Sequence, residues 1–391
     1  MWVRGSPPRA RLKVKLTRPA FHGIDLKQSQ STSSRELLSN SGDGLEQEPD
    51  DLPSARPRKR ATGRATIADV ARLAAVSPMT VSRTLKDPTL VTQELRDRVM
   101  AAVAELGYVP NLAAQTLASA RSNIIGVIVP SISNSVFVET LAGIRDCVSV
   151  AGYQVIIGET LYSADQERQL LSTHLGRAID GVLVTGIDLH KDVREGFARR
   201  NTPLVHMMDL SPDPDALSVG FSQFAAGEAV GRYIVERGYK RPALLAAQLD
   251  PRTMKRREGF QHALEEAGQS SFVEILTPNP SSVGLGGQLL SRLLGAHPDC
   301  DVVFCGNDDI ALGALFECQR RGIPVPGKLA IMGFNDLPFA QYAVPSITSV
   351  TTPRYEIGFQ AAHMLLRQID GIAPERNCID LGFHLTCRES A

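Results

Sequence analysis

Apolar residues fall into three regimes along the chain. Residues 1–60 carry Ser, Pro, Arg and acidic side chains with little periodic apolar pattern. Such a segment cannot bury enough surface to offset the entropy of ordering it, so it reads as a disordered tail. From Thr66 to Tyr108 apolar positions recur at helical spacing: Ile67, Val70, Ala71 and Leu73, then Val81 and Leu85, then Leu95, Val99, Val103 and Leu106. These predict a bundle of three short helices, followed by a polar linker at 111–122. From residue 123 onward, apolar runs of strand length (124–130, 154–158, 181–186, 204–209, 243–247, 273–277, 302–305 and 329–333) alternate with helical patterns. That alternation predicts parallel sheets wrapped by helices on both faces.

Two further strands, at 218–221 and 347–351, make the segment too rich in strands for one sheet. Two similar α/β lobes are predicted, with a ligand between them at the carboxyl ends of the strands. The expected fold class is α plus α/β: a tail at 1–60, a helix-turn-helix unit at 61–109, a hinge at 110–122 and a two-lobed core at 123–391. Lobe one takes about 123–222 and 353–379, and lobe two about 223–352 and 380–391.

Formal charge is zero over all 391 residues, so no global field draws the chain to nucleic acid. Between Ser54 and Arg121, however, 11 Lys and Arg stand against five Asp and Glu, a local balance of +6. That is the footprint of a surface facing DNA, and a solvated module for protein contacts is the plainer alternative. The basic run from Arg56 to Arg60 suits either a stretch lying along phosphates or a solvated tail. Cys147, Cys300, Cys305, Cys318, Cys378 and Cys387 are scattered without metal-ligand spacing, so no metal is expected and a reduced, cytoplasmic protein fits. No run approaches the ~18 apolar residues that span a bilayer, and the first 15 residues lack an export signal, so no membrane association is expected.

Within the three-helix unit, Thr66 is placed to cap the first helix, residues 74–77 make the turn, and Ser77 caps a second helix that opens on Pro78. With Val81 and Leu85 facing the bundle, Met79, Ser82, Arg83 and Lys86 are left on the outer face, where a recognition helix carries its groove contacts.

The stretches Thr66-Ile-Ala-Asp-Val-Ala71, Val76-Ser-Pro-Met-Thr-Val-Ser-Arg83 and Leu106-Gly-Tyr-Val-Pro-Asn111 resemble the headpiece of the lactose/galactose repressor family. The resemblance continues through Gly126-Val127, Asp180-Gly-Val182, the Arg-x-x-Gly-Phe pattern ending at Phe260, Cys305-Gly-Asn-Asp308 and Met332-Gly-Phe334. It therefore covers everything from Ala65 onward. Within the family, residues 78–83, 246–253 and 316–320 are most similar to the gluconate-operon repressor branch. The resemblance implies that Pro78, Met79 and Arg83 meet base edges, while Thr66, Ser77, Thr80, Ser82, Thr92 and Asn111 touch phosphates or orient those contacts. Pro78 stands where many relatives carry a polar residue, and Pro and Met offer only apolar contact, for instance to a thymine methyl, so no operator sequence follows.

Residues 111–118 resemble the hinge helix that orders on cognate DNA in this family. Leu117 stands at the leucine that enters the minor groove, and Ala113, Ala114 and Ala118 are small enough to pair closely with a second hinge. A flexible tether with a chance leucine is the alternative. Leu112 departs from the Arg that many relatives carry there.

Between the lobes, the polar groups at strand ends are Ser131, Asp209, Arg252, Arg256, Asn307 and Asn335. Arg256 lies in the pattern where relatives commonly bind the effector, and Arg252 is one helical turn earlier on the same face. Two converging guanidinium groups favour an anion, a carboxylate or a phosphate. Phe137 stands where relatives use an apolar or aromatic wall. Asn335 replaces the Asp of many sugar-binding relatives, which removes a charge that would repel a carboxylate. Each has a structural alternative: Asp209 capping a turn, Asn307 fixing a strand-to-helix loop, Arg252 exposed on its helix.

No G-x-S-x-G, H-E-x-x-H or complete phosphate-cradling G-x-x-x-x-G-K-[ST] is present, and Gly284-Leu-Gly-Gly287 is a lone cluster better suited to packing than to a dinucleotide. An enzyme is disfavoured and no cofactor is expected. A transport-type binding protein would carry an export signal and lack a headpiece. The expectation is a homodimeric regulator of palindromic double-stranded operator DNA, without an apolar heptad tail for tetramers, released by a small sugar acid. Corepression, activation, and a neutral sugar or purine as effector stay open.

Overall fold

The first helix opens where Thr66 meets Asp69: the Thr66 hydroxyl accepts from the Asp69 N–H at 3.3 Å while the Asp69 carboxylate accepts from the Thr66 N–H at 3.0 Å. Reciprocal capping of this kind satisfies two donors that the first helical turn would otherwise leave unpaired. The computed structural model describes residues 65–109, 121–176, 179–269 and 271–391. The expected tail at 1–60 and the hinge residues Asn111, Ala114 and Leu117 lie outside the described residues.

Helices α1 (Ile67–Leu73), α2 (Pro78–Lys86) and α3 (Gln93–Leu106) bury Val70, Ala71, Val81, Val99 and Ala102 against one another. Ala75, at φ 52°, turns the chain between α1 and α2. Leu73, expected to face inward, is 44% exposed. It stands roughly 200° around the helix from buried Ala71, because successive residues advance about 100°.

Two six-stranded sheets carry the rest. The first holds β1 (Ile124–Val129), β2 (Gln154–Glu159), β3 (Gly181–Thr185), β4 (Leu204–Met207), β5 (Leu217–Gly220) and β11 (Cys378–Asp380), in the order β11-β5-β4-β3-β1-β2 and parallel throughout. The second holds β6 (Pro242–Ala247), β7 (Val273–Thr277), β8 (Val302–Cys305), β9 (Ala330–Asn335), β10 (Thr348–Thr351) and β12 (His384–Thr386), in the order β12-β10-β9-β8-β6-β7. Its β12 runs antiparallel to β10, a departure from the all-parallel expectation. The chain passes between the sheets three times, after β5, after β10 and after β11.

The inner strands are continuous apolar runs because both faces are covered. Alternate residues serve different cores: Phe304 and Val302 on β8 point one way, Val303 and Cys305 the other. Phe260, Phe304 and Phe334 are fully buried, each contributing roughly 2–3 kcal/mol of hydrophobic stabilisation.

The first sheet is flanked by α4 (Val136–Val150), α5 (Ala164–Gly176), α6 (Lys191–Arg199) and α11 (Arg354–Ile369), with α4 packed on α11. The second is flanked by α7 (Gln223–Glu236), α8 (Pro251–Glu266), α9 (Val283–Ala296) and α10 (Asp308–Arg321), with α7 on α8 and α9 on α10. Glycines set these close approaches: a Cβ at Gly259 would stand 1.9 Å from the Phe224 carbonyl oxygen, and one at Gly286 would stand 2.3 Å from that of Ile310. The cluster at 284–287 thus packs α9 onto α10.

Candidate functional site

The carboxyl ends of the parallel strands turn sharply. Met208 after β4, Gln248 after β6 and Asn335 at the end of β9 all have positive φ (70°, 62° and 101°). These turns bring the strand-to-helix loops of both lobes to one cleft of about 530 Å³, counting the open space at its mouth. The apolar wall is Phe137 on α4, Phe221 at the first crossing between lobes, and Phe334 on β9.

Helix α8 supplies the cations. Asp250 caps it, accepting from the Thr253 N–H at 3.0 Å, and Pro251 follows at the first helical position, where a missing N–H costs nothing. Arg252 and Arg256 then project from successive turns into the cleft. They differ in what holds them. Arg252 pairs with the Asp250 carboxylate at 3.1 Å. Arg256 donates to the Gly306 carbonyl at 3.1 Å, the Thr253 hydroxyl at 3.0 Å and the Arg252 carbonyl at 3.3 Å, and its guanidinium lies 4.2 Å from the centroid of the Phe334 ring. Among the described residues no carboxylate pairs with Arg256 within ion-pair distance. Burial lowers its pKa from 12.5 to about 10.

Asn307 and Asn335 line the same cleft. The Asn307 side chain caps α10 through the Ile310 N–H at 3.1 Å and exchanges hydrogen bonds with the Ser281 hydroxyl, so its amide is held in place from both sides. The Asn335 carbonyl accepts from Arg354, a buried residue whose guanidinium also reaches Glu139 on α4 at 2.9 Å. Ser131 and Asp209 sit back from the lining. The Ser131 hydroxyl bonds that of Ser133 at 2.9 Å, and the buried Asp209 carboxylate pairs with Lys255 at 2.7 Å. The two guanidinium groups expected to act together are thus unequal, because Asp250 already neutralises one.

Of the lining residues not anticipated from the sequence, three bear on the chemistry of the cleft. Asp250 had a legible signal, since Asp followed by Pro at the head of an amphipathic stretch marks a helix start. Gln223, 4% exposed, lines the cleft and donates to the Met208 carbonyl at 2.7 Å, while its buried Oε1 has no partner among the described residues. Tyr162 accepts from the Asn134 amide at 3.3 Å, and burial raises its pKa. Its positive φ of 60° gives no sequence pattern that could have flagged it.

In the three-helix unit, α2 exposes Pro78, Met79 (72%), Ser82, Arg83 and Lys86 while Val81 and Thr84 are buried. Ser77 caps α2, accepting from the Thr80 N–H at 3.1 Å with the two hydroxyls 2.8 Å apart. Thr92 caps α3 through the Leu95 N–H at 3.4 Å. The capping hydroxyls of Thr66, Ser77 and Thr92 thus stand at helix N-termini, where partial positive charge attracts anions such as phosphate.

Residues 66–111 match the model of the lacI family of bacterial regulatory proteins, and residues 122–385 match that of periplasmic binding proteins and the sugar binding domain of the LacI family. The HTH-type transcriptional regulator GntR of Pseudomonas aeruginosa is 46% identical over 332 residues, covering 85% of this chain and 97% of that one. GntR of Escherichia coli K12 is 36% identical over 323 residues, covering 83% and 97%. The crystal structure of the transcription regulator GntR from Chromobacterium violaceum is 46% identical, with a TM-score of 0.67 over 68% of this chain and 98% of that one. Capped helix pair, exposed recognition face and two-lobed cleft are those of such regulators: the chain belongs to the LacI family and is a DNA-binding transcription regulator, not an enzyme.

Proposed function

We propose that the protein represses sugar-acid catabolic genes and is released from its operator when a hexonate such as gluconate binds between the lobes. The half-buried Arg256 guanidinium, which has no carboxylate partner among the described residues, carries the reading. A buried cation without a carboxylate partner is costly, and a ligand carboxylate that closes the pair recovers that cost. The unpartnered Gln223 oxygen and the Asn307 and Asn335 amides supply groups for ligand hydroxyls, and a polyhydroxy acid meets both demands. A neutral sugar would leave Arg256 unpaired, and a purine would leave the hydroxyl-binding groups poorly used.

On the DNA side, Arg83 reads a base edge, Pro78 and Met79 make apolar contacts, and Thr66, Ser77, Thr80, Ser82 and Thr92 serve phosphates. Asn111, Ala114 and Leu117 act in the hinge. Two copies bind a palindrome in the cytoplasm as a homodimer. Self-association is supported by exposed apolar side chains on both lobes, Val138 and Val150 on the first and Phe316 and Val344 on the second. Effector binding shifts the population toward a lobe arrangement in which the paired hinges no longer fit the operator.

The test is calorimetry with gluconate and glucose, followed by fluorescence anisotropy on a duplex selected from a randomised palindrome library. Gluconate binding that weakens duplex affinity is expected. Binding of glucose alone would overturn the sugar-acid reading and leave the regulator intact.

A further inference from the structure

Asp250 does two things at once. Its Oδ1 caps α8 through the Thr253 N–H at 3.0 Å, and its Oδ2 takes the Arg252 guanidinium at 3.1 Å. Both residues line the cleft and both side chains are largely withdrawn from solvent, at 12% exposure for Arg252 and 14% for Asp250. Of the neighbouring charges, Lys255 is matched by Asp209 at 2.7 Å and Arg388 by Asp336 at 2.7 Å, while Glu167 lies outside the lining within electrostatic reach of Arg252. The charges lining the cleft are therefore Arg252 and Arg256 against Asp250, a net of one positive charge.

We propose that Asp250 determines the charge class of the effector: by occupying Arg252 it leaves one unpaired cation, so the cleft takes an unphosphorylated monocarboxylate polyol and discriminates against the phosphorylated form of the same acid. This rests on the reading of the cleft as a sugar-acid site. A phosphomonoester adds about −1.5 to −2 of charge at neutral pH. Inside a cleft with one spare cation, that second anion finds no counter-charge, and desolvating it is costly. The Asp250 carboxylate would repel it in addition, while still accepting hydrogen bonds from neutral hydroxyls, as the wall of a polyol site requires.

The two partners make opposite predictions, which a merely structural role would not produce. Asp250→Asn raises the net charge of the lining to two and keeps a side chain that caps helices about as well as Asp. Arg252→Gln lowers it to zero and leaves Asp250 to face the ligand. Calorimetry on the full chain with gluconate, 6-phosphogluconate and glucose reads the result, with thermal unfolding to establish that each variant is folded. The wild-type protein is expected to prefer gluconate over 6-phosphogluconate by about tenfold or more, D250N to shift that ratio at least about tenfold toward the phosphorylated acid, and R252Q to weaken both acids relative to glucose.

If D250N does not fold, Asp250→Ser, a smaller neutral cap, takes its place. Wild-type binding of both acids with a ratio unmoved by the neutral substitutions would overturn the assignment of Asp250 and leave the sugar-acid reading standing. Wild-type binding of neither acid would overturn both.

Discussion

Replacing Arg256 by Met removes the charge and hydrogen bonds while keeping an unbranched chain against Phe334. Two opposing effects set the outcome for stability. Burial lowers the Arg256 pKa from 12.5 to about 10, a difference of 2.5 that corresponds to about 3 kcal/mol of cost for carrying the charge there. Losing the donors to the Gly306 carbonyl, the Thr253 hydroxyl and the Arg252 carbonyl costs about 1 kcal/mol each. The two nearly cancel, so the unfolding free energy should move by less than about 2 kcal/mol in a urea titration. Binding has no such compensation. Truncating one partner of a buried, hydrogen-bonded charge pair costs about 2–5 kcal/mol, so gluconate affinity by calorimetry should fall by roughly 30- to 5,000-fold. The ligand-free protein should still bind its operator, now without release by gluconate. An R256M protein that bound gluconate within tenfold of wild type would refute the carboxylate contact.

Three other expectations are accessible with the same material. Arg83→Ala should weaken operator binding at least about fivefold by anisotropy while gluconate binding stays unchanged, because a base-edge contact is worth about 1–3 kcal/mol. Gly259→Ala would place a methyl group 1.9 Å from the Phe224 carbonyl oxygen, forcing α7 and α8 apart and lowering the urea midpoint by the equivalent of about 3 kcal/mol. Burial, reinforced by the nearby Asp188, raises the Glu167 pKa to about 7 against the opposing pull of Arg252. Glu167 is neutral below that pH and ionises above it, adding negative charge beside Arg252. Gluconate affinity should therefore fall roughly fivefold as pH rises from 6 to 8, with Glu167→Gln flattening the profile.

Sequence periodicity revealed much of the architecture because the strands are covered on both faces and so read as unbroken apolar runs. All ten expected strand segments overlap observed strands. β11 and β12 escaped because three residues carry no measurable period, and β12 pairs with β10 only after a crossing from the other lobe. The outer face of α2 was legible from the fixed angle between Val81 and its neighbours. In the cleft, position was legible and pairing was not. Arg252 and Asp209 were seen as polar groups at strand ends, but sequence could not show that Asp250 and Lys255 had already engaged them. Gln223 was invisible for a related reason: an amide at a helix start signals nothing until one of its atoms is found buried without a partner.

The double duty of Asp250 limits how this regulator can change its effector. A residue at the head of α8 must keep accepting the Thr253 N–H, so most substitutions there are removed by instability before any effect on ligand choice is felt. Asn, Ser and Thr are exempt, since they hold the helix and discard the charge. Selection acting on this position is therefore channelled: the mutations that survive folding are the same ones that alter which anion is accepted, and a new signalling specificity lies one tolerated substitution away.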